Sequence, residues 1–208
     1  MNGPASGVRR LTLDDVLDLR AYERQREEYR RQIIELKRRR RVTVGPFVSL
    51  VFENRETIRS QVQEMARAER MVSDEQIQNE LDVYNPLIPQ PGELSATLFI
   101  ELTGEDALRA WLPRLVGIER NVELRLGAAA GQAGPEVVRS VPEGAHEEAL
   151  TREEITPSVH YIRFALSPDQ VERFAAGPVT VAVDHPAYRR ETVLPAETRE
   201  ELLSDLRA

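Results

Sequence analysis

Residues 41–70 read RVTVGPFVSLVFENRETIRSQVQEMARAER, and this stretch predicts a buried strand directly followed by an amphipathic helix. Arg41 to Glu53 is rich in β-branched and aromatic residues and is apolar on both faces, which is typical of a buried strand, here interrupted at Gly45-Pro46. Asn54 is a favourable N-cap, and Arg55 to Arg70 has the periodicity of a helix. Helices that alternate with buried strands indicate a fold in which helices cover a sheet.

Helices and strands continue to interleave outward from this stretch. Capping and breaker signals predict helices near 12–15, 20–38, 73–84, 103–117, 167–177 and 195–206. Apolar runs predict strands at 95–102, which alternates and should be half-buried, and at 122–126, 158–166 and 179–183, with one more near 136–141. We therefore predict an α+β fold, a single domain with a mixed β-sheet of about five strands covered by helices, and a long charged N-terminal helix.

Within this single domain, residues 1–41 form the predicted N-terminal helical segment and residues 42–208 the α+β body. Residues 127–156 are rich in Gly, Ala and Glu and are predicted to be an exposed excursion, in which His146 is solvated. Charge follows the same division. Residues 1–41 carry 12 Lys/Arg and 7 Asp/Glu, or +5, and the remainder carries 16 and 28, or −12, which sums to the net charge of −7.

The composition excludes several classes of chemistry. The chain has no cysteine, so disulfides, zinc–thiolate sites, self-held iron–sulfur clusters and thiol nucleophiles are excluded. No stretch is long and apolar enough to span a membrane, and the N-terminus has no apolar signal core, so we expect a cytoplasmic protein. The glycines at 127, 131 and 134 match neither a dinucleotide-binding fingerprint nor a phosphate-binding loop.

One carboxylate is predicted to lie on the core-facing side of the 55–70 helix. Ile58, Val62 and Met65 form the apolar stripe, Glu69 falls in its middle, and Glu64 lies just beyond it. A buried carboxylate must be paired, hydrogen-bonded or neutral, so Glu69 is a pointer to a site. The alternative is that Glu69 accepts a salt bridge from a buried arginine such as Arg163.

Two of the three histidines lie on apolar strand faces. His160 alternates with Ile162 and Phe164, and His185 follows a valine-rich strand. With Asp184 and Glu64 or Glu69 they could form a nitrogen–oxygen site for non-haem iron, manganese or zinc. The alternative is that each is a core histidine donating to a carbonyl or carboxylate. Parallel strands would hold the two imidazoles roughly 15–20 Å apart, and only antiparallel pairing lets them converge.

Two further hypotheses have weaker signals. Ser158, His160 and Asp184 supply the residue types of a catalytic triad, but the chain has no G-x-S-x-G elbow. The basic run Lys37 to Arg41 could contact phosphates, but the chain is acidic and no aromatic residue interrupts the run. Cations at a helix C-terminus are also favourable for structural reasons, so nucleic-acid binding is disfavoured.

Several segments together resemble an uncharacterised bacterial family named only as a domain of unknown function (DUF 3501). They are RLTLDDVLDLRAYE, KRRRRVTVGPFVSLVFENRETIRSQVQEMARAER, ELDVYNPLIPQPGELSATLFIEL, SVHYIRFALSP and VDHPAYR. The resemblance implies genes beside those of rubrerythrin-like proteins and iron–sulfur oxidoreductases, and hence a role near peroxide or redox metabolism, by association only. The family commonly has a basic residue before the Thr of the histidine strand, whereas Ile155 precedes Thr156 here.

These observations predict a non-catalytic accessory protein that binds rubrerythrin-like or iron–sulfur redox proteins, with homo-oligomers also compatible. Whether it has an enzymatic activity stays open. The partner-binding candidates are residues of the charged N-terminal helix and its end: Tyr22, Arg26, Tyr29, Lys37, Arg38, Arg39, Arg40 and Arg41. The alternative is a metal-binding protein or enzyme that uses His160, His185, Asp184, Glu64 and Glu69.

Overall fold

Six α-helices and nine β-strands lie within residues 10–127, 134–143 and 155–208, the part of the chain that this computed structural model describes. The helices are α1 (Leu19–Arg40), α2 (Arg55–Ala68), α3 (Asp74–Tyr84), α4 (Glu105–Trp111), α5 (Pro168–Ala176) and α6 (Ala196–Arg207). The strands are β1 (Arg41–Thr43), β2 (Val48–Glu53), β3 (Glu93–Ile100), β4 (Val122–Leu126), β5 (Glu136–Arg139), β6 (Val141–Pro142), β7 (Val159–Ala165), β8 (Val179–His185) and β9 (Tyr188–Val193). The α+β class and the long charged N-terminal helix are confirmed.

The strands form two sheets in which every pairing is antiparallel. Sheet A has the order β1-β2-β3-β7-β6, and sheet B has the order β5-β4-β8-β9. The prediction of one mixed sheet of about five strands is corrected to this pair of sheets. Strand periodicity shows which residues share a face, but it carries no information on which strands pair.

The two sheets meet along both of their edges and enclose one core. β5 and β6 are separated only by Ser140, so one short stretch of chain passes from sheet B to sheet A. At the opposite edge, Thr192 Oγ1 of β9 donates to the main-chain oxygen of Thr43 in β1 at 2.8 Å. The enclosed core consists mainly of Val, Leu and Phe side chains from the inner faces of both sheets, among them Phe52 and Phe164.

The turn between β1 and β2 is closed by a residue of sheet B. Gly45 has φ +78°, and a Cβ atom added there would lie 2.4 Å from the Tyr188 hydroxyl oxygen. That hydroxyl donates to the main-chain oxygen of Val44 at 2.6 Å. The predicted interruption of the strand at Gly45-Pro46 is therefore a hairpin turn, and glycine is required there by both its backbone angle and this close approach.

A second helical layer covers the outer face of sheet A. Ile58 and Val62 of α2 pack with Leu81 of α3 and with Leu87, and the half-buried Tyr161 of β7 joins this cluster. As a result β3 is buried on both faces along most of its length. The prediction of a half-buried strand at 95–102 was wrong because Ser95 and Thr97, which look like solvent-facing residues, lie under the helices.

Local signals located most helix starts correctly. Asn54, Ser73 and Ser167 each accept a hydrogen bond at the helix N-terminus from the main-chain N–H three residues later. The strand β9 was missed, because its sequence YRRETV is mostly exposed and has no apolar alternation. The strand expected near 136–141 is confirmed as β5 and β6, whereas most of the expected excursion, including His146, lies outside the described residues. None of the described helices has the length and apolar composition needed to cross a membrane.

Candidate functional site

His160 lies on the inner face of β7 in a buried group of polar side chains. Its Nε2 is 2.9 Å from Thr156 Oγ1, and its Nδ1 is 3.7 Å from Glu119 Oε2. The main-chain carbonyl of Pro157 also hydrogen-bonds the ring. His160, Thr156 and Glu119 are 6%, 2% and 4% exposed. Because the Glu119 carboxylate lies on the Nδ1 side, we assign the proton to Nδ1, so that Nε2 accepts from the Thr156 hydroxyl.

The electrostatics of this group favour a neutral ring. Burial lowers the pKa of His160, and the opposing effects of Glu119 and the Pro157 carbonyl only partly compensate. A hydroxyl, an imidazole and a carboxylate in this order resemble the parts of a nucleophile–base–acid arrangement. The Thr156 hydroxyl is buried, however, so the contacts are those of an interior hydrogen-bond relay. Of the other two residues considered for a triad, Ser158 is not the hydroxyl that hydrogen-bonds His160. Asp184 lies in sheet B, where its Oδ1 is 3.2 Å from Arg189 Nε.

His185 is placed at the end of β8, in sheet B. Its Nε2 lies 3.1 Å from the main-chain oxygen of Val116, and its Nδ1 accepts from the N–H of Ala187 at 3.2 Å. Val116 and Glu119 belong to one short segment, residues 112–121. The two histidines therefore hold this segment from two different sheets, which corresponds to the structural alternative considered for them.

The five metal-ligand candidates do not come together. β7 pairs with β3 and β6, whereas β8 pairs with β4 and β9, so the antiparallel pairing that would let His160 and His185 converge does not occur. Glu64 accepts hydrogen bonds from Tyr22 at 2.6 Å and from Arg26 at 2.9 and 3.0 Å. Across the described ranges, no group of three or more His, Asp or Glu side chains is arranged to hold a metal ion.

The carboxylate of Glu69 is exposed, so its predicted burial was wrong. The helix α2 ends at Ala68, and Glu69 is its C-cap. Arg70 has φ +53°, and the N–H of Met71 donates to the main-chain oxygen of Ala66 at 2.9 Å. This is a Schellman-type ending with arginine where glycine is usual, so the sequence did not signal it. Arg163 pairs instead with Glu93 and Glu143.

Most partner-binding candidates on α1 are engaged within the chain. Tyr22 is buried and donates to Glu64, and Arg26 forms a two-pronged ion pair with the same carboxylate. These hydrogen bonds outweigh burial and keep the pKa of Glu64 below its usual value. Tyr29 packs against Tyr22, and the guanidinium of Arg59 lies over its ring at 5.0 Å.

The basic run at the end of α1 contacts the acidic side of α6. Arg40 is fully buried and donates to the main-chain oxygens of Phe52 at 2.7 Å and Glu53 at 3.1 Å, and to the Asp205 carboxylate and Glu201. Its neighbours pair as well. The ion pairs are Arg38 with Glu35 and Glu197, Arg39 with Glu35 and Glu201, and Arg41 with Glu101. The run therefore attaches α1 to the body, as the structural alternative to phosphate binding expects.

Sequence reasoning missed three buried carboxylates, Glu53, Glu119 and Glu123. Glu123 pairs with Arg125 at 2.9 Å and with Arg139 at 2.8 Å. The carboxylate of Glu53, by contrast, accepts a single hydrogen bond within the described residues, from the Thr97 hydroxyl. In the sequence, Glu53 is the single charge at the end of an otherwise apolar strand. A strand that is buried on both faces would bury this side chain as well.

The helix α3 and the turn before it present an acidic surface. We define this acidic surface as Glu69, Asp74, Glu75, Glu80 and Asp82, with the flanking Val72 and Val83. Among the described residues, none of these carboxylates forms an ion pair, although arginines pair with carboxylates over much of the remaining surface. Burial raises the pKa of Glu80, and the charge of Glu69 adds to the effect. Val72 is 87% exposed, and Val83 is also exposed.

Comparison with known proteins places these features in a family. Residues 10–206 match the family DUF3501, whose description is 'protein of unknown function'. A crystal structure of a novel protein of unknown function from Burkholderia pseudomallei has a TM-score of 0.83 and 36% sequence identity, and the match covers 94% of this chain and 98% of that chain. No curated protein matches the chain. The family matches nearly the whole chain, and so does a solved structure that is 36% identical in sequence. This chain therefore belongs to the DUF3501 family.

Proposed function

We propose that this protein is a non-catalytic accessory protein that binds a partner protein of a cytoplasmic redox system. The redox setting is supported by the gene neighbourhood that the family resemblance implies, with rubrerythrin-like proteins and iron–sulfur oxidoreductases encoded nearby. The binding role depends on one observation, the acidic surface on α3. The two buried histidines support the same view, because both are used to hold residues 112–121.

The acidic surface differs from the rest of the charged surface because none of its carboxylates forms an ion pair within the described residues, although Arg70 follows Glu69 in the chain. The helix α3 carries four carboxylates and no lysine or arginine within its eleven residues. Elsewhere arginines cover carboxylates, as between α1 and α6. A surface of one sign attracts an oppositely charged partner and accelerates encounter. The exposed valines at its border supply apolar area that a partner would cover.

The chemistry of this surface selects a partner with basic residues around a small apolar patch. Weak redox encounters bury little surface and depend on charge for orientation, which suits a single helix of this length. The named candidates are the rubrerythrin-like and iron–sulfur proteins of the same gene neighbourhood. Their binding is expected to weaken as salt increases, because exposed charges are screened within about 10 Å at 0.1 M ionic strength.

The test is a binding measurement between the purified full chain and each of these two proteins at low and high salt. The double variant Glu75→Lys with Asp82→Lys reverses two charges of the acidic surface. We expect it to reduce affinity by tenfold or more, since like-charge contacts across an interface cost several kcal/mol.

The matched control is Asp106→Lys with Glu200→Lys, which makes the same charge change at two exposed sites away from α3. This control should leave binding nearly unchanged. Far-ultraviolet circular dichroism of both variants verifies that α3 remains folded. If neither protein binds the unmodified chain at low salt, or if the two double variants weaken binding equally, the proposal is wrong.

A further inference from the structure

The carboxylate of Glu53 is buried under α2 with one oxygen atom unsatisfied. Glu53 ends β2, and its side chain lies on the outer face of sheet A, where it is 3% exposed. Thr97 Oγ1 donates to its Oε1 at 2.6 Å. Its Oε2 is buried and has no hydrogen-bond partner within the described structure. A buried polar atom of this kind requires a partner, because its desolvation is otherwise uncompensated.

The nearby arginines are committed elsewhere. Arg163 shares the outer face of sheet A and aligns with Ser95, the strand neighbour of Glu53, but its guanidinium pairs with Glu93 and Glu143. Arg40 reaches only the main-chain oxygen of Glu53. The balancing positive charge for this carboxylate therefore does not come from the arginines that pack around it.

The groups around the unsatisfied oxygen are neutral oxygen donors and aromatic rings. Thr97 supplies a hydroxyl. Tyr161 lies directly opposite Thr97 in the pairing of β3 with β7, on the outer face of sheet A that also carries Glu53. Burial is the larger cause of its raised pKa, the charge of Glu53 adds to it, and the side chain of Gln61 hydrogen-bonds it. Tyr84 packs against the same apolar cluster as Tyr161. Oxygen donors suit hard cations, and aromatic faces attract ammonium groups.

We propose that Glu53, Thr97 and Tyr161 form a binding site for a monovalent cation, either an alkali-metal ion or an ammonium group. Charge balance selects the single charge, because one carboxylate neutralises one positive charge and a divalent ion would leave a buried excess. The bound cation would satisfy Oε2 and link β2, β3 and β7 beneath the helical layer. This site is separate from the acidic surface of α3, so it can fail without affecting the proposed function.

The experiment measures thermal unfolding of the full chain at constant ionic strength in potassium, sodium, ammonium or N-methylglucamine chloride. We expect the midpoint to rise with the concentration of at least one small cation relative to N-methylglucamine, which is too large for a buried site. The metal ions and ammonium are separate arms, so their comparison identifies which kind of cation binds.

Glu53→Gln removes the charge while keeping the shape, and it should weaken the cation dependence by tenfold or more, because it deletes the only charged ligand. Glu123→Gln is the matched control, since Glu123 is equally buried but is paired with arginines. It should retain the cation dependence. If Glu53→Gln does not fold, Thr97→Val, which keeps the carboxylate, should still shift the dependence to higher concentration. An unmodified chain with no cation dependence, or a dependence that Glu53→Gln or Thr97→Val leaves intact, overturns the site.

Discussion

The outer faces of the two sheets carry similar residues in opposite environments. On sheet A, Ser95 and Thr97 are buried under the helical layer, and Ser49 is buried with its hydroxyl bonded to Arg41. On sheet B, Arg125 pairs with Glu191 at 2.6 Å and Asp184 pairs with Arg189, all with partial or full exposure. Most polar groups on the outer face of sheet B can use water, with Glu123 as the exception, whereas those on sheet A depend on partners within the protein. The same alternation in sequence therefore has different energetic consequences, and mutations on sheet A should be more costly.

The largest effect is expected where α1 meets the end of sheet A. Arg40→Ala removes a fully buried guanidinium that donates to two main-chain oxygens and two carboxylates. We expect the free energy of unfolding to fall by about 3–5 kcal/mol, the usual cost of breaking a buried ion pair on one side. Chemical denaturation measures it.

The control for this comparison is Arg38→Ala, two residues away in the same basic run. The side chain of Arg38 is 61% exposed, and its ion pairs lie at the surface. Its loss should cost about 1 kcal/mol or less. Equal losses for the two variants would contradict the view that burial, and not the run of charge, determines the role of these arginines.

A smaller effect is expected from one hydroxyl on each sheet. Thr97→Val on sheet A removes the one donor to the Glu53 carboxylate among the residues that the structure describes, and it should destabilise by about 1–3 kcal/mol. Thr180→Val makes the same change on the half-buried outer face of sheet B and should stay within about 0.5 kcal/mol. Urea denaturation measures the free energy of unfolding of both variants. A loss for Thr180→Val as large as that for Thr97→Val would contradict the distinction between the two outer faces.

The smallest effect concerns pH and the inner face of sheet A. The pKa of His160 is lowered in the folded state, mainly by burial, so the unfolded chain binds its proton first as pH falls. Stability from the neutral ring is complete above about pH 6.5 and is lost as pH drops toward the folded pKa, with a slope of at most about 1.4 kcal/mol per pH unit. His160→Gln should flatten this part of the stability profile. A profile identical to that of the unmodified chain would show that His160 does not titrate on unfolding.

Much of the secondary structure could be predicted because its signals are local. Asn54, Ser73 and Ser167 each act on an N–H three residues away, so no distant contact was needed to locate those helices. The end of α2 shows the limit of local reasoning. Extending the helical period to Glu69 placed an exposed carboxylate in the core, because Arg70 adopts the left-handed conformation that sequence patterns associate with glycine.

The candidate sites were less predictable because they depend on contacts across the chain. His160 was correctly expected on an apolar face, but Glu119 and Thr156 beside it had no shared motif. The basic run was a candidate for binding a partner protein, and the acidic side of α6 that pairs with it lies more than 150 residues away. Neither partner could be identified before the chain was folded.

The sequence by itself determined the order of most helices and strands, with β9 as the exception, the apolar face of most predicted strands, and the absence of thiol chemistry. Only the tertiary structure decided which strands pair, which sheet face the helices cover, and whether a given charge is buried. The physical reason is that propensity, capping and periodicity act over a few residues, whereas burial is set by what packs on top. Glu53 and Glu191 are both strand carboxylates, and only the helical layer over sheet A makes the first one buried and dependent on a partner.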